Sequence, residues 1–155
     1  MTTLKHKVFI HAPPERVWEP LADLESVRHY NPMAHRVSIT TAKREGAGAE
    51  RRCEGPQGTF CERVLAWDVG RSITIELSES KWPVKGMRWT TRIQPDSAGT
   101  LMLQETTYEL KFGILGRALD RLVLRRKMTA GIRDVFHRFR AHVEKEAAAS
   151  PRTSR

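Results

Sequence analysis

The sequence predicts an α+β fold in which an antiparallel sheet of about seven strands packs on one long C-terminal helix. Residues 115–146 repeat apolar side chains at helical spacing, which is typical of a helix with a buried face. The preceding chain consists of short segments of alternating apolar and polar residues, separated by turns rich in glycine and proline. The 155 residues fit one domain with one core, which we expect to span residues 1–146.

The apolar residues of the long helix form two stripes. The second half carries Thr129, Ile132, Val135, Phe136, Phe139 and Val143, and the first half carries Leu115, Ala118, Leu119, Leu122 and Val123. At about 100° per residue the two stripes do not line up, so we expect a bend or a change of buried face within residues 124–131. We expect Phe136 and Phe139 to be buried against the sheet.

The first strand, residues 4–10, precedes two short helices. Pro14 lies in the first turn of the first helix, and Asp23 or Ser26 caps the second, which ends before Pro32. Six further strands are predicted at residues 36–41, 49–54, 59–67, 72–78, 87–93 and 100–110, most of them separated by turn signals. The phase of the strand at residues 59–67 is ambiguous, because apolar residues occur on both of its faces.

The last two strands are predicted to form a hairpin with a four-residue loop. That loop pairs Trp89 with Thr106 and Thr91 with Gln104, which places both inner faces on one side. The set containing Gln104, Thr106 and Tyr108 is assigned inward because it carries fewer charges than the alternate set. A solid core would favour Leu, Ile or Val at these positions, so polar inner residues indicate a wet or ligand-filled cavity.

Composition excludes several classes of protein. No apolar run approaches the roughly 20 residues of a membrane span, and residues 1–11 alternate rather than forming a signal peptide, so we expect a cytoplasmic protein. Cys53 and Cys61 are too few for a disulfide framework. They flank a turn, so a cross-strand bridge is geometrically conceivable, but reduced thiols are favoured.

The net charge of +9 invites a nucleic-acid or anionic-membrane partner. Most of the late basic residues lie on the long helix, and the rest lie in residues 147–155. A solvated helix face followed by a disordered basic tail is the favoured interpretation, since no DNA- or RNA-binding motif accompanies the charge. The sequence leaves monomer and dimer open.

Motifs of catalysis and metal binding are absent from the sequence. No G-x-S-x-G elbow is present, and none of the six histidines has H-x-x-x-H or H-E-x-x-H spacing. We therefore expect no metal and no cofactor.

Three motifs resemble the START-like, or SRPBCC, superfamily. The residues Ile-His-Ala-Pro-Pro-Glu-Arg-Val-Trp at positions 10–18 are similar to its I-x-A-P-x-E-x-V-W opening. Asp23 and then Tyr30-Asn31-Pro32 resemble an aspartate and a W-x-P-like turn of its members. The segment Met-Arg-Trp-Thr at positions 87–90 resembles the sixth strand of the polyketide cyclase/dehydrase branch. The resemblance extends to about residue 146.

The resemblance implies a helix-grip fold, in which a curved sheet wraps around the long helix and leaves a cavity. It implies a small apolar or aromatic ligand, such as a lipid, a quinone or a polyketide. The inner face of the fifth strand carries Ile73, Ile75 and Leu77 and no arginine, which departs from cyclase-type members and favours binding or transport over catalysis. A cyclase, aromatase or dehydratase is one alternative, and a basic module that docks on RNA, the ribosome or a membrane is another.

Nine residues are the candidates for contacting this ligand. Trp89 either offers a ring for stacking or is a core residue, and Tyr108 either donates a hydrogen bond or simply buries its ring. Tyr30 lies in a loop beside Pro32, either at the cavity mouth or packed in the core, and packing is favoured. If the helix stays straight, Arg125 points into the cavity; if its buried face changes, Arg125 faces solvent, which is favoured. The full set is Tyr30, Met87, Trp89, Gln104, Thr106, Tyr108, Arg125, Met128 and Ile132.

Overall fold

Seven strands form one curved antiparallel sheet in the computed structural model, which describes residues 1–149. The strand order is β1-β7-β6-β5-β4-β3-β2. The strands are β1 (Thr2–Ile10), β2 (Arg36–Ile39), β3 (Glu50–Gly55), β4 (Gly58–Asp68), β5 (Ser72–Ser80), β6 (Val84–Asp96) and β7 (Gly99–Leu110). The chain therefore has the predicted α+β helix-grip fold.

Two short helices follow β1, as predicted. Helix α1 (Pro14–Ala22) begins with proline in its first turn, where the missing N–H costs no hydrogen bond. The 3₁₀ helix Leu24–His29 is capped by Asp23, whose carboxylate accepts a hydrogen bond from the backbone N–H of Glu25 at 3.1 Å. Of the two predicted caps, the structure therefore selects Asp23.

The β6–β7 hairpin has the predicted register. Trp89 pairs with Thr106 and Thr91 pairs with Gln104. The ladder continues to the pair Asp96–Gly99, one pair further than predicted, so two residues rather than four turn the chain. Because the register is kept, the inner faces of both strands lie on the same side of the sheet.

The irregular pairing of β4 with β5 accounts for the ambiguous phase of this strand in the sequence. Irregularities in its pairing with β5 occur between Cys61 and Glu62 and between Val64 and Ala66. The second irregularity leaves Leu65 without a partner in β5 and shifts the alternation of β4 by one residue. Val64 and Trp67 consequently pack in the same cluster, although a regular strand would place them on opposite faces.

The long helical segment is divided by a π-helical turn. Helix α2 (Gly113–Leu119) is followed by the π-helical turn Asp120–Leu124 and then by helix α3 (Arg125–Ala149). The turn ends at Leu124, where the predicted bend or change of face begins, but the buried side does not switch to the first stripe. It continues through the turn at Gly116, Asp120, Leu124, Met128 and Ile132. Helix α3 continues three residues beyond Glu146, and residues 150–155 of the predicted tail lie outside the described residues.

Only the second of the two predicted stripes is buried. Phe136 and Phe139 are 6% and 1% exposed, as predicted, and α3 packs mainly along β1. The first stripe was expected to lie on the sheet, which is wrong. Leu115 and Leu122 are 80% and 72% exposed, because the residues that contact the protein in this segment are Gly116, Asp120 and Leu124 instead.

A buried ion pair joins β3 to β4. The guanidinium of Arg51 donates from Nε to Glu62 Oε2 at 2.6 Å and from Nη1 to the Leu24 carbonyl at 2.9 Å. Burial opposes the charge on Arg51, but Glu62 and its other neighbours outweigh that effect and raise the pKa of Arg51. The pair thereby ties the 3₁₀ helix to the sheet.

Both cysteines are buried free thiols. Cys53 pairs with Phe60 across the β3–β4 ladder, whereas Cys61 pairs with Arg52. Burial raises the pKa of Cys53 to about 12, so its thiolate is not available at neutral pH.

Within residues 1–149, no helix is long and apolar enough to cross a membrane.

Candidate ligand-binding face

The inner face of β6 and β7 changes character along its length. At the hairpin end, Ile93, Met102 and Thr100 are at most 6% exposed and belong to closely packed surroundings. Toward the other end, Met87 and Trp89 are only half-buried, although their strand positions point to the same inner face. The core therefore fills one end of the face and leaves the β6 side of the other end accessible.

A row of polar side chains crosses this face. The Thr91 hydroxyl donates to Gln104 Oε1 at 3.1 Å, and Gln104 Nε2 donates to Thr106 Oγ1 at 3.1 Å. Thr106 is completely buried and Gln104 is half-buried. The hydrogen bonds satisfy these groups internally, and the half-buried Gln104 leaves amide groups accessible for a polar atom of a ligand.

The polar row ends at a buried tyrosine–aspartate contact. The Tyr108 hydroxyl donates to Asp120 Oδ1, and the Thr2 hydroxyl donates to Asp120 Oδ2 at 2.7 Å. Burial raises the pKa of Tyr108 to about 12, and the hydrogen bond and charge of Asp120 add to this effect. Tyr108 is therefore a protonated hydrogen-bond donor at neutral pH, already engaged by Asp120.

The remaining predicted residues lie on α3, whose main strand contacts are with β1. Met128 and Ile132 are half-buried, and Ile132 packs against the main core cluster. Arg125 is exposed, which is the favoured of the two orientations expected from the sequence. Its charge still acts on Tyr108 and partly opposes the rise of the Tyr108 pKa.

Tyr30 belongs to another part of the molecule. Its ring meets Phe139 edge-on, with centroids 4.9 Å apart, inside the main core cluster. Trp89 packs against a second cluster that contains Ile73 and Ile75. Burial raises the pKa of Tyr30, which is typical of a core tyrosine.

Asp120 is the principal site residue that the sequence did not reveal. It is 5% exposed and joins the start of β1 to the end of β7. Its i−4 and i+4 neighbours, Gly116 and Leu124, share the same face, and this spacing is the signal that could have identified it.

Two surface pockets lie away from this face. One, of about 240 Å³, lies between β1 and α3 and is lined by basic groups that include Lys5, Lys7 and Arg133. Burial lowers the pKa of His6 in this pocket, and the charge of Arg133 adds to the shift. The other, of about 510 Å³, lies between α1 and the end of α3.

The face combines apolar surface with a few fixed polar groups, which is the usual composition of a small-molecule site. Within residues 1–149, no group of three or more His, Cys, Asp or Glu side chains is placed to hold a metal ion. The arrangement suits recognition of a flat apolar molecule that carries one or two polar atoms.

The fold defines a helix-grip protein of the START-like class, and sequence comparison identifies the family. The chain belongs to the family described as polyketide cyclase/dehydrase and lipid transport, whose model matches residues 1–144. Membership supports hydrophobic-ligand binding in general and specifies no substrate. No match was found among curated proteins.

Solved structures share this fold. The protein TTHA0849 from Thermus thermophilus is 24% identical, with 96% of this chain and 100% of that chain covered and a TM-score of 0.76. A protein from Nitrosospira multiformis is 14% identical over 95% of this chain and 99% of its own, with a TM-score of 0.73. Ara h 8.0201 is 12% identical over 92% of this chain and 97% of its own, with a TM-score of 0.71.

Proposed function

We propose that this protein binds or carries a small hydrophobic or aromatic molecule, such as a lipid, a quinone or a polyketide-like compound. The observation that carries the proposal is the partial exposure of Met87 and Trp89 at inner-face positions of β6. Large apolar side chains at such positions are normally buried by the core, and here a ligand would complete the burial.

The energetics favour an apolar ligand with a polar end. Covering about 200 Å² of apolar ligand surface contributes roughly 5 kcal/mol at about 25 cal/mol per Å². The Trp89 ring provides a flat stacking surface, and Gln104 provides both a donor and an acceptor. Met128 and Ile132 on α3 would form the opposite wall in this proposal.

A cytoplasmic location is part of the same proposal. Both cysteines are free, and buried free thiols are typical of proteins in reducing compartments.

Tryptophan fluorescence tests the proposal. Fatty acids, quinones and aromatic polyketides should be titrated separately, and at least one class should quench the emission saturably. Trp89→Phe should remove most of that signal while the far-UV circular dichroism spectrum is unchanged. Trp82→Phe is the matched control, because Trp82 is also half-buried but packs against Phe60 at a centroid distance of 5.0 Å.

Two results together would contradict this function. One is the absence of any ligand class that perturbs Trp89, and the other is unfolding of the domain by Trp89→Ala. They would show that Trp89 is a core residue.

An enzyme of the cyclase or dehydratase type is the second candidate. The observation that favours it is the buried contact between the Asp120 carboxylate and the Tyr108 phenol beside the inner face. The inner face of β5 opposes it, because Ile73 and Ile75 are buried there and β5 contains no arginine. Turnover of a ketone or polyketide substrate that is abolished by Asp120→Asn, with ligand binding retained, would favour the enzyme.

A further inference from the structure

Helix α2 and the π-helical turn contact the rest of the protein through one narrow stripe. Gly116 and Asp120 are buried and Leu124 is half-buried, and these three residues are spaced by four. A Cβ atom at Gly116 would lie 3.2 Å from Leu110 Cβ, so the small residue permits close approach. Asp120 fixes the segment through its hydrogen bonds to Thr2 and Tyr108.

The side of the segment that points away from the protein is apolar. Ile114, Leu115 and Leu122 are 82%, 80% and 72% exposed, and Leu119 and Val123 are 47% and 40% exposed. The preceding Phe112 is 61% exposed. Single exposed apolar residues are ordinary, but six within 12 consecutive positions form a contiguous patch of the kind that marks an interaction surface.

A basic stripe runs beside the apolar one. Arg117, Arg121 and Arg125 are exposed and again spaced by four. Lys111, Arg126, Lys127 and Arg133 are also exposed. From position 111 to position 133, Asp120 is the only acidic residue in the sequence, and its carboxylate is buried and hydrogen-bonded. Positions 111–133 therefore present cations and aliphatic side chains with no exposed acid among them.

We propose that this surface, formed by α2 and the π-helical turn, docks on an anionic lipid bilayer. The aliphatic side chains would enter the boundary between headgroups and acyl chains, and the arginines would contact lipid phosphates. This combination of an outward apolar face and a flanking basic stripe is the pattern of an interfacial amphipathic helix. The proposal stands independently of the ligand.

The composition of the surface argues against two other occupants. A two-fold dimer would bring the same patch of both copies together, and the basic stripes would then repel each other. Single-stranded nucleic acid is bound through aromatic stacking as well as charge, whereas five of the six exposed apolar residues here are aliphatic. An anionic bilayer satisfies both the apolar and the charged component.

Vesicle flotation with the full chain tests the proposal. The protein should bind vesicles of phosphatidylcholine mixed with phosphatidylglycerol and should bind phosphatidylcholine vesicles weakly. Arg117→Gln/Arg121→Gln should lower the affinity roughly thirty-fold, which corresponds to the usual contribution of two arginines at a membrane surface. Leu115→Ser/Leu122→Ser should lower it at least tenfold, because the lost burial is aliphatic.

Matched controls separate this surface from a general effect of charge. Arg88→Gln/Arg92→Gln removes two exposed arginines of β6 and should change the affinity less than threefold. Val69→Ser removes an apolar residue that is 73% exposed on the β4–β5 turn and should have no effect. All variants should keep the melting temperature and the fluorescence response to ligand, since none of these side chains is part of the ligand-binding face.

Any of four results would overturn the proposal. Equal binding to neutral and anionic vesicles would remove the role of charge. An equal loss of affinity in the Arg88→Gln/Arg92→Gln control would mean that the net charge of the protein, rather than this surface, is responsible. A concentration-dependent dimer that Leu115→Ser/Leu122→Ser dissociates, or tight RNA binding without vesicle binding, would assign the surface to another partner.

Discussion

A double-mutant cycle on Tyr108 and Asp120 tests the contact that holds the π-helical turn against the sheet. Tyr108→Phe removes one hydroxyl that donates to a buried carboxylate. Hydrogen bonds to charged groups contribute about 1.5–3 kcal/mol, so we expect a loss of that size. Asp120→Ala removes the acceptor of both Tyr108 and Thr2 and leaves a hydroxyl without its partner in a residue that is 2% exposed. We expect about 2–5 kcal/mol for that change.

The double variant should lose less stability than the sum of the two single variants. In Asp120→Ala the Tyr108 hydroxyl is already unsatisfied, so its removal then costs little and the coupling energy should be about 1–3 kcal/mol. Urea unfolding at pH 7, followed by far-UV circular dichroism, gives all four free energies. Thr2→Val is the control for the second hydrogen bond of Asp120, and we expect a loss of about 1 kcal/mol from it. A Tyr108–Asp120 coupling below about 0.5 kcal/mol would refute the direct buried contact.

Three further perturbations test the fold. Phe139→Ala should cost about 3–5 kcal/mol in urea unfolding, because the ring is buried, and a loss below about 1 kcal/mol would show that α3 is misplaced. Arg51→Ala should cost about 3–5 kcal/mol by leaving Glu62 buried without its partner, whereas Arg51→Met/Glu62→Leu should restore most of that stability; equal losses would contradict the ion pair. Absorbance at 295 nm should show that neither Tyr30 nor Tyr108 ionises at its ordinary pKa of 10, because the pKa of each is raised. Tyr108 ionises at a higher pH in the folded state than in the unfolded state, so its contribution to stability is lost as the pH rises from about 10 toward 12. The free energy of unfolding of the wild type should therefore fall more than that of Tyr108→Phe over that interval.

The β6–β7 hairpin was predictable from sequence because its information is local. Alternation fixes which side chains share a face, and a short loop fixes the register, so Trp89–Thr106 and Thr91–Gln104 follow from counting residues. The irregular strand β4 was less predictable, because its irregular pairing with β5 shifts the alternation without a marked sequence signal.

The irregularity in the long helix was predictable, but the side that it buries was not. The sequence shows two stripes that do not align, and either stripe is apolar enough to be buried. Asp120 turns the other side of the first half toward the protein, because it accepts hydrogen bonds from Thr2 and Tyr108, which lie 118 and 12 positions away. Local periodicity carries no information on such contacts, and it therefore assigned Leu115 and Leu122 to the interior.

The buried pair Arg51–Glu62 was hidden for a similar reason. A charged residue in an alternating strand is normally assigned to the solvent face. Here the two charges are opposite each other on neighbouring strands and are satisfied together with the Leu24 carbonyl, so both point inward. Pairing of that kind is visible only after the strand register is known.

Methionine methyl resonances provide the most direct test of the proposed ligand-binding face. The chain has five methionines, and our proposal assigns Met87 and Met128 to the ligand. Met1 is 88% exposed, Met102 is buried at the hairpin end, and Met33 packs against the main core cluster. In protein labelled at the methionine methyl carbon, a hydrophobic ligand should shift the Met87 and Met128 resonances saturably and with one dissociation constant. The Met1 and Met33 resonances should stay in place. Saturable shifts at Met33 without shifts at Met87 and Met128 would place the ligand elsewhere and contradict the account.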